Sequence, residues 1–351
     1  MDIADAGLAE AAAVTRSLLV APVHAIERLR GGGRNSRIYR VRRGTEWFAV
    51  KHYPPGHQDS RNRLKTEIEA LAFMERHGIA VVPRSLASDA ERGYAVLSWV
   101  EGDPVGSAEE EDIEAAADFL ASLHRLGGVA EAQSQPLGAE ACLSGVEIAA
   151  QLGRRLARLG NVAEADPALA PLIDRMAGWL FGSVLPAVAA GYQSLGLSFA
   201  LPLPGGSRSL CPSDFGFHNA MRGKAGLTFV DFEYFGWDDP VKLTCDFLLH
   251  PGMRLPEKLK RRFVTAVLQI YGADPTFAAR LGLLYPLFAV RWCLILLNEF
   301  LPERWAYRVH ADAGPDWEKP DWEKAKERQL GRASDLLALV QSSGGGFPYG
   351  D

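Results

Sequence analysis

The chain has 351 residues, enough for one large domain or for two lobes that each bury a core. Hydrophobic residues make up 48% of it and charged residues 23%, as is usual for a soluble globular protein. The formal net charge of −5 argues against a general nucleic-acid-binding surface, which would normally be basic.

The cysteines and the apolar segments indicate the cellular location of the protein. The four cysteines are scattered, without a C-x-x-C pair or a histidine at ligand spacing, which predicts reduced thiols. The acidic N-terminus is unlike a secretory signal. The most apolar stretch, Leu281 to Leu301, contains Arg291, Asn298 and Glu299, so we expect a buried helix rather than a membrane span. We therefore predict a cytoplasmic protein with no membrane or nucleic-acid partner, of undefined oligomeric state.

The first part of the chain is predicted to be mainly β-structure. A short helix over Leu8–Leu19 is followed by predicted strands at Val23–Leu29, Arg37–Arg42 and Trp47–His52. Three glycines, at positions 31–33, lie between the first two strands. Because a β-hairpin rather than a helix follows these glycines, the pattern favours a flap over a nucleotide and disfavours a dinucleotide-binding fold.

The rest of the chain is predicted to be mostly helical. A helix is expected over Asp59–His77, capped by Asp59 or Ser60 and ended by Gly78, and a strand over Gly93–Gly102 leads into a hinge. Further helical patterns cover Ala115–Leu126, Val146–Leu159, Leu172–Ala190, Glu257–Tyr271, Phe277–Leu301 and Trp322–Gln341. The predicted fold class is α+β, with a small β lobe that contains one helix and a larger helical lobe.

The most informative motif begins at Asp214. Asn219 follows five positions later, and Asp231 another twelve positions on, at the end of a hydrophobic strand. In phosphoryl transfer, one carboxylate accepts the proton of the attacking hydroxyl, while an amide oxygen and a second carboxylate hold Mg²⁺ against the phosphates. Oxygen atoms are the ligands that Mg²⁺ prefers. The motif predicts Asp214 as the base, and Asn219 and Asp231 as metal ligands.

Each of these residues also has a structural interpretation. Asp214 could cap its own loop, and Asn219 taken alone would be a turn residue. A carboxylate such as Asp231 at the end of an apolar strand is costly without a partner, which favours an ion there. Lys51, at the end of a strand, could be an ordinary solvated lysine. Because Asp214, Asn219 and Asp231 together have the spacing of a kinase catalytic loop, the catalytic interpretation is favoured.

Taken together, these features resemble the aminoglycoside phosphotransferase and choline kinase superfamily, a branch of the protein-kinase-like fold. The resemblance runs from about Val23 to about Leu301. It implies a bilobal fold, with a small antiparallel β N-lobe over residues 1–102 that binds nucleotide and ends in the hinge. The mostly helical C-lobe, over residues 103–351, would carry the catalytic loop and the acceptor site. Asp239 and Asp246 fall where the family has structural acids.

The resemblance also implies a nucleotide site. Lys51 matches the strand lysine that grips the α- and β-phosphates, and Glu67 matches the helix glutamate that pairs with it, better than Glu69 does. Asn35 and Ser36 lie in the nucleotide loop, where they either contact phosphate or cap the hairpin.

Two hinge residues, Trp99 and Val100, match the segment that receives the base through backbone groups. The implied cofactors are ATP and Mg²⁺, although hinge recognition leaves ATP and GTP as alternatives. The implied partner is a small-molecule hydroxyl acceptor such as an amino alcohol, an aminoglycoside or a sugar.

One departure from the family keeps an alternative open. Pro212-Ser213-Asp214 stands where the family usually has His-Gly-Asp. The change motivates a pseudokinase that binds nucleotide and acts by shape. A protein kinase is disfavoured, because only fifteen residues separate Asp231 from Asp246 and leave no room for a long activation loop. The favoured prediction is a small-molecule kinase.

Overall fold

The computed structural model describes residues 3–29, 36–53, 62–305 and 321–350. The α-helices of this part are α1 Ile3–Leu19, α2 Arg63–Arg76, α3 Glu110–Leu126, α4 Gly145–Ala163, α5 Ala170–Trp179, α6 Leu185–Ser194, α7 Pro240–Leu249, α8 Glu257–Ile270, α9 Phe277–Leu296 and α10 Trp322–Ser342. The strands are β1 Ala25–Leu29, β2 Arg37–Arg43, β3 Glu46–His52, β4 Ser85–Asp89, β5 Tyr94–Ser98, β6 Asp103–Pro104, β7 Ser209–Cys211, β8 Ala220–Gly223, β9 Gly226–Phe229 and β10 Gly236–Asp238. The predicted α+β class is confirmed.

The described chain divides into two compact units. The N-terminal unit contains residues 3–106 and 217–235, and the helical unit contains residues 107–216, 236–305 and 321–350. Residues 217–235 thus belong with the first hundred residues, although they lie far along the chain. The predicted boundary after residue 102 stays a prediction.

The N-terminal unit is built on an antiparallel sheet of order β1-β2-β3-β5-β4. Because side chains alternate along a strand, each strand has two faces. One face, which includes Tyr39, Val50 and Val96, packs against Ala11 and Val14 of α1. The opposite face carries Lys51, directly across from Ile38 on β2 and Ala95 on β5. The pleat therefore turns the lysine away from the α1 core.

Helix α2 lies in the same unit and begins one residue after Asn62. The side chain of Asn62 accepts a hydrogen bond from the Lys65 N–H at 3.0 Å, which satisfies one of the donors left open at a helix start. The predicted caps, Asp59 and Ser60, lie outside the described residues. Glu67 occupies the buried stripe of α2, three residues after Leu64.

A small sheet of order β6-β8-β9 completes the N-terminal unit. The β8–β9 hairpin folds back on itself, so that the Val230 N–H donates to the Asn219 carbonyl at 2.9 Å. Asn219 directly precedes the hairpin and Asp231 closely follows it. Gly102 has a φ of +147°, and a Cβ there would approach the Arg222 carbonyl oxygen to 2.6 Å, so only glycine fits.

The helical unit contains the short β7–β10 pair and the remaining helices. Within the described residues, two helical segments are long and apolar enough for a membrane span, Ala170–Ser194 and Phe277–Phe300, by length and composition alone. The most apolar window of the second is 72% buried inside the protein, as expected for a core helix. The first was predicted as one helix over Leu172–Ala190; a π-helical turn at Leu180–Val184 interrupts it.

Candidate active site

Lys51 lies at the end of β3 and joins two acidic side chains of the N-terminal unit. Its Nζ is 2.7 Å from Glu67 Oε2 on α2 and 2.8 Å from Asp231 Oδ1 after β9. The other carboxylate oxygen of Glu67 accepts the Phe232 N–H at 3.2 Å. The structure therefore brings together Lys51, Glu67 and Asp231, and the role of Glu67 in the nucleotide site stays a prediction. Glu69 contacts Lys65 instead, at 3.8 Å.

This group of charges has more acids than bases. We call Lys51, Arg63, Glu67, Asp231 and Glu233 the Lys51 cluster; Arg63 is its second cation, 3.7 Å from Glu233. Burial alone would lower the pKa of Lys51, but the charges of Asp231, Glu67 and Glu233 outweigh it and hold that pKa above its usual range. Burial, helped by the charge of Asp231, raises the pKa of Glu233 to about 7. Among the described residues three carboxyl groups face two cations, and a further cation would favour the charged form of Glu233.

Asp231 is the most exposed acid in contact with Lys51. Its side chain is 31% exposed, against 1% for Glu67. Its φ of +72° is in the left-handed region, an unusual backbone conformation for a residue other than glycine. The β8–β9 hairpin holds Asn219 on the other side of the turn from Asp231. Together they offer carboxylate and amide oxygens, a donor set that fits Mg²⁺.

Asp214 belongs to the helical unit, in the loop that follows β7. Its N–H donates to the Pro212 carbonyl at 3.0 Å, and Ser213 before it has a φ of +68°. A glycine would adopt this φ without strain, so Ser213 adds a steric cost to the turn. Phe215 anchors the loop by stacking on Phe247 of α7, with ring centroids 5.7 Å apart.

The remaining predicted nucleotide residues are placed as follows. Asn35 lies outside the described residues. Ser36 is buried directly before β2, and Trp99 and Val100 are half-buried directly after β5. The indole of Trp99 lies 4.7 Å from the guanidinium of Arg40.

A second buried set of charges lies in the helical unit. We call Glu140, Asp238, Lys242, Asp246, Arg155 and Arg291 the Asp246 cluster. Arg291 and the Trp292 indole both donate to Asp246 Oδ1 at 2.9 Å, and Lys242 lies 3.0 Å from Asp238 and 3.4 Å from Asp246.

Glu140 binds both Arg155 and Arg291. Because its side chain is exposed, it connects this cluster to solvent. Arg291 thus pairs with both Asp246 and Glu140.

Asp239, the other acid that was expected to be structural, caps a helix and binds an arginine. Its Oδ1 accepts the Val241 N–H at 2.9 Å, which caps the start of α7, and its Oδ2 binds Arg280.

The fold and the family are defined by comparison with known proteins. The α+β fold is that of choline kinases and aminoglycoside phosphotransferases, as solved structures show. The choline kinase LicA from Streptococcus pneumoniae matches with a TM-score of 0.57 and 17% identity, covering 95% of this chain and 99% of that one. A choline/ethanolamine kinase family protein from Mesorhizobium loti matches with a TM-score of 0.56 and 20% identity, covering 95% and 94%.

An antibiotic kinase has the same fold. Spectinomycin phosphotransferase APH(9)-Ia, solved with ADP and spectinomycin, matches with a TM-score of 0.59 and 10% identity, covering 93% of this chain and 98% of that one. Residues 25–282 match the model of the phosphotransferase enzyme family, so the chain belongs to that family. A search of curated protein sequences gave no match.

Proposed function

We propose that the protein is an ATP- and Mg²⁺-dependent small-molecule kinase that transfers the γ-phosphate to a hydroxyl group. The observation that carries this proposal is the contact of Lys51 with both Glu67 and Asp231. A lysine held by a buried glutamate beside a more exposed aspartate suits the binding of phosphate and metal.

The side chains divide the work as follows. Lys51, oriented by Glu67, positions the α- and β-phosphates. Asn219 and Asp231 hold Mg²⁺, which neutralises charge on the transferring group when bound. Asp214 accepts the proton of the acceptor hydroxyl. In this division of roles each carboxylate has a separate task, as in-line transfer requires.

The base and the triphosphate have further proposed contacts. Trp99 and Val100 would receive the base through backbone groups, and Ser36 with Asn35 would contact phosphate. We also propose a cytoplasmic location, without membrane or nucleic-acid partners.

The acceptor is proposed to be an amino alcohol, an aminoglycoside or a sugar-like compound. Choline, ethanolamine and spectinomycin are named for proteins of the same fold, and each is a small hydroxyl compound. A nucleotide-binding pseudokinase is the second candidate, favoured by Pro212 and Ser213 in the catalytic loop.

The test measures ADP release from MgATP across a panel of amino alcohols, aminoglycosides and sugars. We expect acceptor-dependent turnover that Asp214→Asn abolishes while MgATP binding is kept. Asp335→Asn, an exposed acid on α10, is the matched control and should behave as the wild type. Undiminished turnover of Asp214→Asn would remove Asp214 as the base. MgATP binding without turnover on any acceptor would favour the pseudokinase.

A further inference from the structure

A histidine of the helical unit lies beside the proposed base. His250 is the first residue after α7, and one of its ring nitrogens lies within 4.8 Å of a carboxylate oxygen of Asp214. The two residues are thirty-six positions apart in sequence, so tertiary packing brings them together. This spacing admits one bridging water, or a direct hydrogen bond after a small side-chain rotation.

The packing of α7 sets this approach. Phe247 of α7 stacks on Phe215, the neighbour of Asp214, with ring centroids 5.7 Å apart. Asp246 is held by the Trp292 indole at 2.9 Å, and the same indole meets the His250 ring edge-on at 4.9 Å. Two adjacent residues thus hold the C-terminal end of α7: Phe247 packs against the loop of Asp214, and Asp246 binds Trp292 of α9.

The tautomer of His250 follows from its hydrogen bond. The Gly252 N–H donates to His250 Nδ1 at 3.1 Å, so in the neutral ring the proton lies on Nε2. Gly252 also leaves room for the ring, because a Cβ there would lie 2.8 Å from His250 Cε1. The backbone therefore fixes which nitrogen is the donor.

We propose that His250 is a positioning residue for Asp214. Its Nε2–H is a donor to the Asp214 carboxylate, directly or through one water, and orients that carboxylate toward the acceptor hydroxyl. The inference rests on the proposed role of Asp214 as the base. A misplaced base costs about tenfold to a hundredfold in rate, because transfer requires close alignment of the reacting atoms.

The first test needs no acceptor. In protein labelled with ¹⁵N-histidine, long-range ¹H–¹⁵N spectra report the tautomer of each of the eight histidines. His250, assigned from the signal lost in His250→Gln, should show the Nε2–H form, and Asp214→Ala should shift its Nε2 resonance.

The second histidine of similar geometry is the matched control for this spectrum. His24 is exposed, and its Nδ1 also accepts the N–H of a glycine, Gly44, at 2.9 Å. Its resonances should not move in Asp214→Ala. A His250 signal that Asp214→Ala leaves unchanged, in protein with wild-type thermal unfolding, would overturn the proposal.

The second test separates positioning from a purely structural role by two substitutions. His250→Asn places its amide near Nδ1, so it can still accept the Gly252 N–H but has no donor at Nε2. His250→Gln places an N–H near Nε2. ADP release from MgATP is measured with water alone and with any acceptor that the panel identifies.

We expect kcat to fall by about tenfold to a hundredfold in His250→Asn, with the KM for MgATP unchanged, and to be partly restored in His250→Gln. His24→Asn should leave kcat unchanged. A His250→Asn protein more active than His250→Gln would show that His250 only caps α7, and would overturn the proposal. If Asp214→Asn remains active, the role of Asp214 as the base fails, whereas the spectra still decide whether His250 and Asp214 interact.

Discussion

The Lys51 cluster and the Asp246 cluster are both buried groups of charge, but their balance differs. In the Lys51 cluster three carboxyl groups surround Lys51 and Arg63, and Asp231 is partly open to solvent. In the Asp246 cluster three acids face three cations among the described residues, and Glu140, with its side chain 39% exposed, opens that cluster to solvent too.

The difference indicates what each cluster is for. Buried charges are costly unless they are paired, so a balanced cluster can be complete in the protein alone. A cluster with more acidic than basic side chains favours the binding of a further cation. We therefore expect the unbalanced cluster to bind a cation and the balanced cluster to serve the scaffold.

The largest expected effect comes from breaking the balanced cluster. Asp246→Ala removes a buried acid that Arg291 and Lys242 share, and leaves Lys242 with Asp238 alone and Arg291 with the exposed Glu140 alone. We expect the free energy of unfolding to fall by about 3–5 kcal/mol. Urea denaturation measures it. Glu110→Ala, which removes a surface partner of Lys258, is the control and should change little. A loss of stability no larger in Asp246→Ala than in Glu110→Ala would contradict the scaffold role.

Removing the exposed acid of the unbalanced cluster should act on binding instead. Asp231→Asn leaves Lys51 paired with Glu67, so stability should change by only about 1 kcal/mol. We expect Mg²⁺-dependent affinity for ATP to fall roughly tenfold or more, on the order of 1.4 kcal/mol by calorimetry. Glu69→Gln, on the exposed side of α2, should bind MgATP normally. Unchanged MgATP affinity in Asp231→Asn would remove this residue as a metal ligand.

The smallest expected effect concerns Glu140, the solvent-exposed acid of the Asp246 cluster. Burial would raise the pKa of Glu140, but Arg155 and Arg291 outweigh it and hold that pKa at about 2. Because the folded-state pKa is lowered, the stabilisation by Glu140 is present above about pH 4.5 and is lost as the pH falls toward 2.

Glu140→Gln should therefore lower stability at pH 7 and flatten the loss of stability between pH 4.5 and 2. Denaturation curves at several pH values measure both, with Glu327→Gln on the surface of α10 as the control. A slope in Glu140→Gln equal to that of the wild type would contradict the lowered pKa.

Local patterns predicted most of the N-terminal strands and helix α2. Strands β2 and β3 have apolar runs and a turn between them, and each differs from its predicted bounds by one residue at one end. Helix α7 was not predicted, because all ten of its residues are buried and leave no apolar–polar period to detect. Strand β4, Ser85–Asp89, was not predicted either, because it lies at the sheet edge and consists of small and polar residues apart from one leucine.

The amino-acid sequence by itself determined the fold class and the types of chemical group at the site. The sequence alone was enough to predict that Asn219 and Asp231 lie near each other, because a short hairpin joins them. The pairing of Lys51 with Asp231, 180 residues away, and the approach of His250 to Asp214 were decided only by tertiary structure. Contacts across such separations depend on how whole sheets and helices pack, and no periodicity along the chain encodes them.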